Sequence, residues 1–305
     1  MADIKLELTE KITVSDSLSG TVRKVVDPPP EDLVIARFWV QNFSILEKTS
    51  FDEEIKTKLE KILKQLAEDM LSLRDDIMDY AAEVRRYFEG VKSGEFYEVK
   101  DNIEYFKEVF HGKKLAENFY FHAELCKRDA FRLMRIALPS ATKFTWEQLY
   151  QHTKIDRANL SRLTISFDTQ WENLLVVKAI RGVMEHSDDE NDFDITDIRL
   201  EKTDKGIAFH QPYFIYPESV KIKSLDGTEK TIRIKDETVL DLMDKHFWAI
   251  FNVCESSAVY PLLAKLGLKW QPKLIGMQHY DPKCPVQWVV EPASNPRRTV
   301  NHTPV

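Results

Sequence analysis

Glycine is scarce in this chain, with nine glycines and thirteen prolines in 305 residues. So few chain-reversing residues disfavour a turn-rich β sandwich and fit long helices better. Cysteine is scarcer still. Cys126, Cys254 and Cys284 are odd in number and widely spaced, which leaves no disulfide framework and no CxxC zinc pair and points to a reducing compartment. There is no run of about 18 apolar residues, so no membrane span is expected. The start, "MADIKLELTEKITVSDS", has no apolar h-region, so no signal peptide is expected either. Positive charge is not in excess: 43 Lys and Arg face 50 Asp and Glu, for a net charge of -7. That balance argues against a general nucleic-acid or membrane coat, while leaving room for a local basic groove. Gly-rich phosphate loops, GxSxG, HExxH and kinase-like motifs are all missing. The expectation is a soluble cytoplasmic protein, and its 43% hydrophobic content suffices for one large or two ordinary cores.

Periodicity is what the chain does have. Residues 1 to about 31 alternate polar and apolar side chains and reach "DPPPED", which suggests short extended segments and a rigid break. Helical patterning begins near Asp32. Asp52 is placed to cap a long helix whose apolar face runs from Ile55 through Leu66 and Ile77 to Phe88 in steps of three and four, until "SGE" at 93–95 interrupts it. Helices are expected at about 96–110 and 113–137, with a short one capped by Thr145. Another is expected from Asp156, and a further one from about Thr169 to His186. The pattern then switches to alternation, and "VKIKSLDGTEKTIRIK" reads as a hairpin turning at Asp-Gly. Helix resumes with Asp236 as its candidate cap, and residues 269–305 are expected to form an irregular tail.

One segment carries the functional question. In "AIRGVMEHSDDEND", residues 179–192, an apolar helical run holds Arg181 and ends at His186 in an acidic burst. An offset of five on a helix means about 140° of rotation and about 7.5 Å of rise, so the two side chains do not share a narrow stripe. They converge only near a helix end, or where two such helices meet. The macrodipole at a helix C-terminus favours a protonated histidine, as do Glu185, Asp188 and Asp189. An arginine fork nearby can hold a phosphate. With the 2′-hydroxyl of RNA as nucleophile, an imidazole to move a proton and a guanidinium to stabilise charge, RNA cleavage needs no metal. The plainer reading of the same pair is a salt-bridged surface feature.

The stretch "WENLLVVKAIRGVMEHSDDEND", followed by the hairpin and the helix near Asp236, resembles the HEPN superfamily. These helical domains occur in many prokaryotic RNA-cutting toxins and defence proteins. The family signature is Arg, four to six residues, then His, near the end of a helix late in a bundle. "KAIRGVMEHSDDEND" is similar to the family's usual "aiRN…H(S/N)DG" segment. The resemblance spans roughly residues 168–266, is thinner over 96–137, and reaches neither residues 1–50 nor the tail.

The periodicity and the resemblance together give a mainly α protein: long N-terminal amphipathic helices from the apolar pattern, then a HEPN-like helical bundle with a small β-hairpin insertion before the last long helix, which the resemblance implies. The corresponding division is an extended segment over 1–31, a helical extension over 32–94, a HEPN-like domain over 95–268 with its β insertion at about 193–235, and the tail. The resemblance implies a metal-independent endoribonuclease of toxin or phage-defence type, without cofactor, acting as a homodimer on RNA and held by an antitoxin or defence-system partner. Arg181 would bind phosphate and His186 would be the acid–base residue; apart from the resemblance, Glu185 beside the histidine is an auxiliary candidate to orient it, a plain surface carboxylate being the plainer reading. Gly182 stands where active members usually carry a polar residue, often Asn. The alternative is therefore a catalytically silent module that binds a partner protein or a nucleotide.

Three further features invite interpretation. Lys127, Arg128, Arg132 and Arg135 share much of one helix face and are the candidate RNA-backbone contacts; a solvated charged face is the plainer reading. The aromatic stripe "ENFYFHAELC" at 117–126 is read as core, with His122 a satisfied interior histidine, although aromatics also stack bases. "HYDPKC" brings His279, Asp281 and Cys284 together without the further ligands zinc needs, so it is read as a loop.

Overall fold

The computed structural model describes residues 34–100, 103–106, 108–137, 150, 157–186, 193–196, 198–203, 206–223, 227–274 and 288–293. Among them the chain is mainly helical, with small antiparallel hairpins. Helix α1 (Val34–Glu47) precedes the 41-residue α2 (Glu53–Ser93). Strands β1 (Tyr97–Lys100) and β2 (Ile103–Phe106) lead to α3 (Gly112–Ala137) and α4 (Arg157–Glu185). Six strands follow: β3 (Asp194–Ile195), β4 (Arg199–Thr203), β5 (Gly206–His210), β6 (Phe214–Tyr216), β7 (Ser219–Lys223) and β8 (Glu229–Arg233). Helix α5 (Val239–Leu263), β9 (Trp270–Leu274) and β10 (Trp288–Pro292) complete the order. The expected extended segment at 1–31, the Thr145 helix apart from Tyr150, and the "HYDPKC" loop lie outside the described residues.

The chain divides into two compact units. Among the described residues, one takes in those within Asp69–Leu125 and Thr169–Phe251; the other takes in those up to Glu68, within Cys126–Asp168, and from Asn252 onward. In the first, the α2 face carrying Met70, Leu73, Ile77 and Tyr80 is buried, as are Phe119 and Tyr120 of α3. Leu174, Leu175, Val176 and Val177 of α4 are buried consecutively, so every face of that turn is covered. Phe214 of β6 meets Tyr120 and Phe193 edge-on, at centroid distances of 6.3 and 5.6 Å. In the second unit, Phe38, Leu59, Leu63, Leu133 and Leu262 form the apolar interior. Arg37 donates to the Glu255 carboxylate at 2.7 Å, a largely buried ion pair.

The long helix starts as its sequence predicts, because the Ile55 N–H donates to Asp52 Oδ1 at 2.8 Å. It ends at Gly94, whose φ of 78° is the left-handed conformation that halts a helix at little cost to glycine. Elsewhere the structure differs from expectation in four places. Residues 97–106 form a hairpin, not a helix, with Lys100 paired to Ile103 so that only Asp101 and Asn102 lie between the strands. Tyr97, Val99, Ile103 and Tyr105 supply the β-branched and aromatic side chains a hairpin favours. The expected pair of helices from Asp156 and Thr169 is one 29-residue helix, since neither glycine nor proline interrupts the chain between 157 and 181.

The cap of α5 is Thr238, not Asp236. The Asp241 N–H donates to Thr238 Oγ1 at 3.1 Å and Thr238 Oγ1 donates to Asp241 Oδ2 at 2.7 Å, whereas Asp236 lies 3.5 Å from Arg233. Thr238→Ala should cost about 1 kcal/mol in urea denaturation, while Asp236→Ala should leave the midpoint unchanged. The expected irregular tail contains a hairpin, with β9 and β10 pairing Trp270 to Pro292 and Leu274 to Trp288. The expected hairpin of β7 and β8 is present, with Gly227 at φ 88° in its turn.

Candidate functional site

Arg181 and His186 both lie at the C-terminal end of α4, within the first unit. The His186 N–H donates to the Gly182 carbonyl at 3.1 Å, so helical geometry extends to the histidine. Its side chain is exposed, and among the described residues no hydrogen bond or ion pair reaches the ring. Asp188 and Asp189 lie outside the described residues.

The two side chains face different surroundings. Arg181 is 23% exposed, pairs with Glu185 at 3.1 Å and lies with its guanidinium carbon 5.8 Å from the Phe121 ring centroid. Its Nε is buried without a hydrogen-bond partner. Ala179, Val183 and His186 recur at steps of four and three, so His186 continues a different stripe of the helix. Along that stripe, Ala179 and Val183 line an open cavity of about 360 Å³, whose other wall is Tyr216 to Lys221. Within one copy, the arginine therefore meets Phe121 of α3, whereas the histidine lies about 140° round the helix, away from that contact. Gly182 lies between them, and a Cβ built there would meet nothing within 4 Å.

Glu185 is the auxiliary candidate to orient His186, with a plain surface carboxylate as the other reading. In the structure its carboxylate serves Arg181, one turn earlier on the same helix, and the geometry of an i,i+4 pair explains the choice.

The basic face lies in the second unit from Cys126 onward. Arg128 and Arg132, each with a side chain 52% exposed, converge on the fully buried Asp129 at 3.2 and 2.9 Å. These two arginines therefore neutralise a buried carboxylate as well as facing solvent. Lys127 is half-buried, and Arg135 is exposed with no carboxylate paired to it among the described residues.

Sequence reasoning missed a cluster on α3. Phe119 and Tyr120 are buried as expected, yet Phe121 is 47% exposed. His122 is satisfied, with Nδ1 2.6 Å from Asp76 Oδ2, but its side chain is 26% exposed and so it is not interior. Burial pushes the Asp76 carboxyl above the usual carboxylate range, and the His122 contact pulls it back. The signal was available: Ala116, Phe119, Ala123, Cys126 and Ala130 recur at steps of three and four, and Phe121 falls off that stripe.

Among the described residues, no three His, Cys, Asp or Glu side chains group closely enough to hold a metal, and no helix is long and apolar enough to cross a membrane. No family model matches the chain, and neither a curated protein nor a solved structure is significantly similar to it.

Proposed function

We propose that the chain is a metal-independent endoribonuclease of toxin or phage-defence type, active as a homodimer in which Arg181 of one copy works with His186 of the other. The observation that carries this reading is the layout of the α4 terminus. An exposed imidazole that no described residue bonds and an arginine lie on opposite sides of Gly182, where the helix surface is open. Two such helices crossing at Gly182 would bring each arginine beside the other copy's histidine. Arg181 would hold the phosphate and stabilise the charge that develops on it, and His186 would move the proton to or from the ribose oxygens. Such an activity would be held in check by an antitoxin or a defence-system partner.

The test is cleavage of RNA in the presence of EDTA. The expected products carry 2′,3′-cyclic phosphate, because the 2′-hydroxyl attacks the neighbouring phosphorus and the 5′-oxygen leaves. Products ending in a free 3′-hydroxyl and a 5′-phosphate would show that water, not the 2′-hydroxyl, attacks, and would sink the mechanism.

A silent binding module is the second reading, and one observation favours it: Glu185 already occupies the Arg181 guanidinium at 3.1 Å. Under the ribonuclease reading the basic face of α3 would be the RNA-backbone contact. Arg135→Glu should weaken binding to every RNA alike and flatten the slope of log affinity against log salt by roughly one. An unchanged slope with unchanged affinity would return Arg135 to the solvated surface.

A further inference from the structure

We propose that Phe121, His122 and Arg181, with Asp76 behind the histidine, form a nucleotide subsite in the first unit. The base stacks on Phe121, and the phosphate lies between the Arg181 guanidinium and His122 Nε2. As a place for one nucleotide of an RNA strand, the subsite rests on the ribonuclease reading; as a site for a free nucleotide, it does not.

The geometry assembles the parts such a ligand needs. Phe121 and His122 are neighbours on α3 with ring centroids 5.6 Å apart, and the Arg181 guanidinium approaches the same phenyl ring at 5.8 Å. A phenylalanine with 47% of its surface exposed does not serve the core. Half-exposed aromatics flanked by arginine are how proteins stack bases of either kind, purine or pyrimidine.

Asp76 gives the histidine its direction. The Asp76 residue is only 8% exposed, and its carboxylate accepts the Nδ1 proton across 2.6 Å. That leaves Nε2, to which no described residue bonds, to donate to a phosphate oxygen when the ring is in its imidazolium form. Arg181 can turn its guanidinium to a ligand, since its ion-pair partner among the described residues, Glu185, is an exposed side chain that can swing into water. The surrounding charge limits what fits. Asp75 and Asp79 lie close enough to raise Asp76, and Glu185 adds a further negative charge. An acidic rim of this kind suits one phosphate and disfavours a triphosphate.

Titration calorimetry on the full chain at low salt tests this with two probes, adenosine 3′-monophosphate and a short oligoadenylate. Saturable binding of one ligand per chain is expected. Phe121→Ala should weaken it about tenfold or more, and Phe121→Trp should retain it. His122→Gln and Arg181→Ala should also weaken it about tenfold or more. Because Phe121 is exposed, its replacement leaves the core intact, and circular dichroism checks this. Binding of the mononucleotide marks a free-nucleotide site, and binding of the oligonucleotide alone marks a strand site. The proposal is overturned if neither probe saturates at millimolar concentration, or if Phe121→Ala and His122→Gln bind as the wild type does. A chain that binds nucleotide through Phe121 and cuts no RNA would overturn the ribonuclease reading and leave the subsite standing. RNA cleavage by a chain that binds neither probe would do the reverse.

Discussion

Gly182→Leu should convert a dimer into a monomer and lower RNA cleavage by roughly a hundredfold or more, without unfolding the chain. The argument rests on what surrounds Gly182. A Cβ there meets nothing within 4 Å, so the protomer has room for a side chain. Leucine is also the better helix former, by about 1 kcal/mol over glycine in a helix interior. A protomer bearing leucine should therefore be as stable as the wild type or more so. Any loss must come from the approach of a second copy, where a bulky side chain separates helices that need to touch. Sedimentation should show the mass falling from twice the chain's 35.6 kDa to that of one chain. A dimer that persists, or a monomer that still cuts RNA, would show that Gly182 is not the crossing point.

Acid should destabilise the first unit through His246 well before ordinary carboxylates protonate. This histidine is 1% exposed on α5, with Nδ1 3.0 Å from the Tyr120 hydroxyl. Burial, and after it the neighbouring Lys245, hold its pKa down at about 3, against an ordinary value of 6.5. The sign follows from which state binds the proton. Between those two values the unfolded chain is protonated at this residue and the folded chain is not, so lowering the pH favours unfolding. The contribution is fully present above pH 6.5 and declines as pH falls toward 3. By pH 4.5 the loss should be on the order of 2–3 kcal/mol. Tyr120, which burial pushes up, stays neutral throughout this window and adds nothing to the slope. Urea denaturation at pH 7.5 and pH 4.5 should show this dependence in the wild type and a flatter one in His246→Gln, whose amide can also meet the tyrosine hydroxyl. Equal slopes in the two proteins would remove His246 as the cause.

Much of the helical architecture was legible because its signals are local. The Asp52 cap, the buried stripe of α2 and the Asp-Gly turn of the β7–β8 hairpin each depend on residues a few positions apart. What misled were segments where helical and strand patterns compete. Over 97–106 a short run of aromatic and β-branched residues fits either period, and two strands of four residues are too short for alternation to declare itself. At α5, an Asp and a Thr two residues apart are both good caps, and only the tertiary path of the chain selects Thr238.

The candidate site divides in the same way. Arg181 and His186 can be picked out by spacing and by the helix end that follows them. The Arg181 contact with Phe121 of α3, and the cavity that Ala179 and Val183 share with the β6–β7 edge, depend on which elements pack against α4, and no local pattern carries that. The partnership of His122 with Asp76 joins residues 46 positions apart, and a sequence period cannot express it. The exposure of Phe121, by contrast, was readable from its place off the buried stripe.

Mixing two inactive variants tests the central claim most directly. Arg181→Ala and His186→Ala should each lose cleavage as separate proteins while keeping their helical circular dichroism. If the working pair takes its arginine from one copy and its histidine from the other, a mixed dimer contains one intact pair and one empty one. Co-refolding the variants in equal amounts should then restore about a quarter of wild-type activity, since about half the dimers are mixed and each has one working site. Recovery to that level, with 2′,3′-cyclic products formed in EDTA, is what the composite site predicts. No recovery in a mixture shown to contain the mixed dimer, or cleavage by either variant alone, would contradict it.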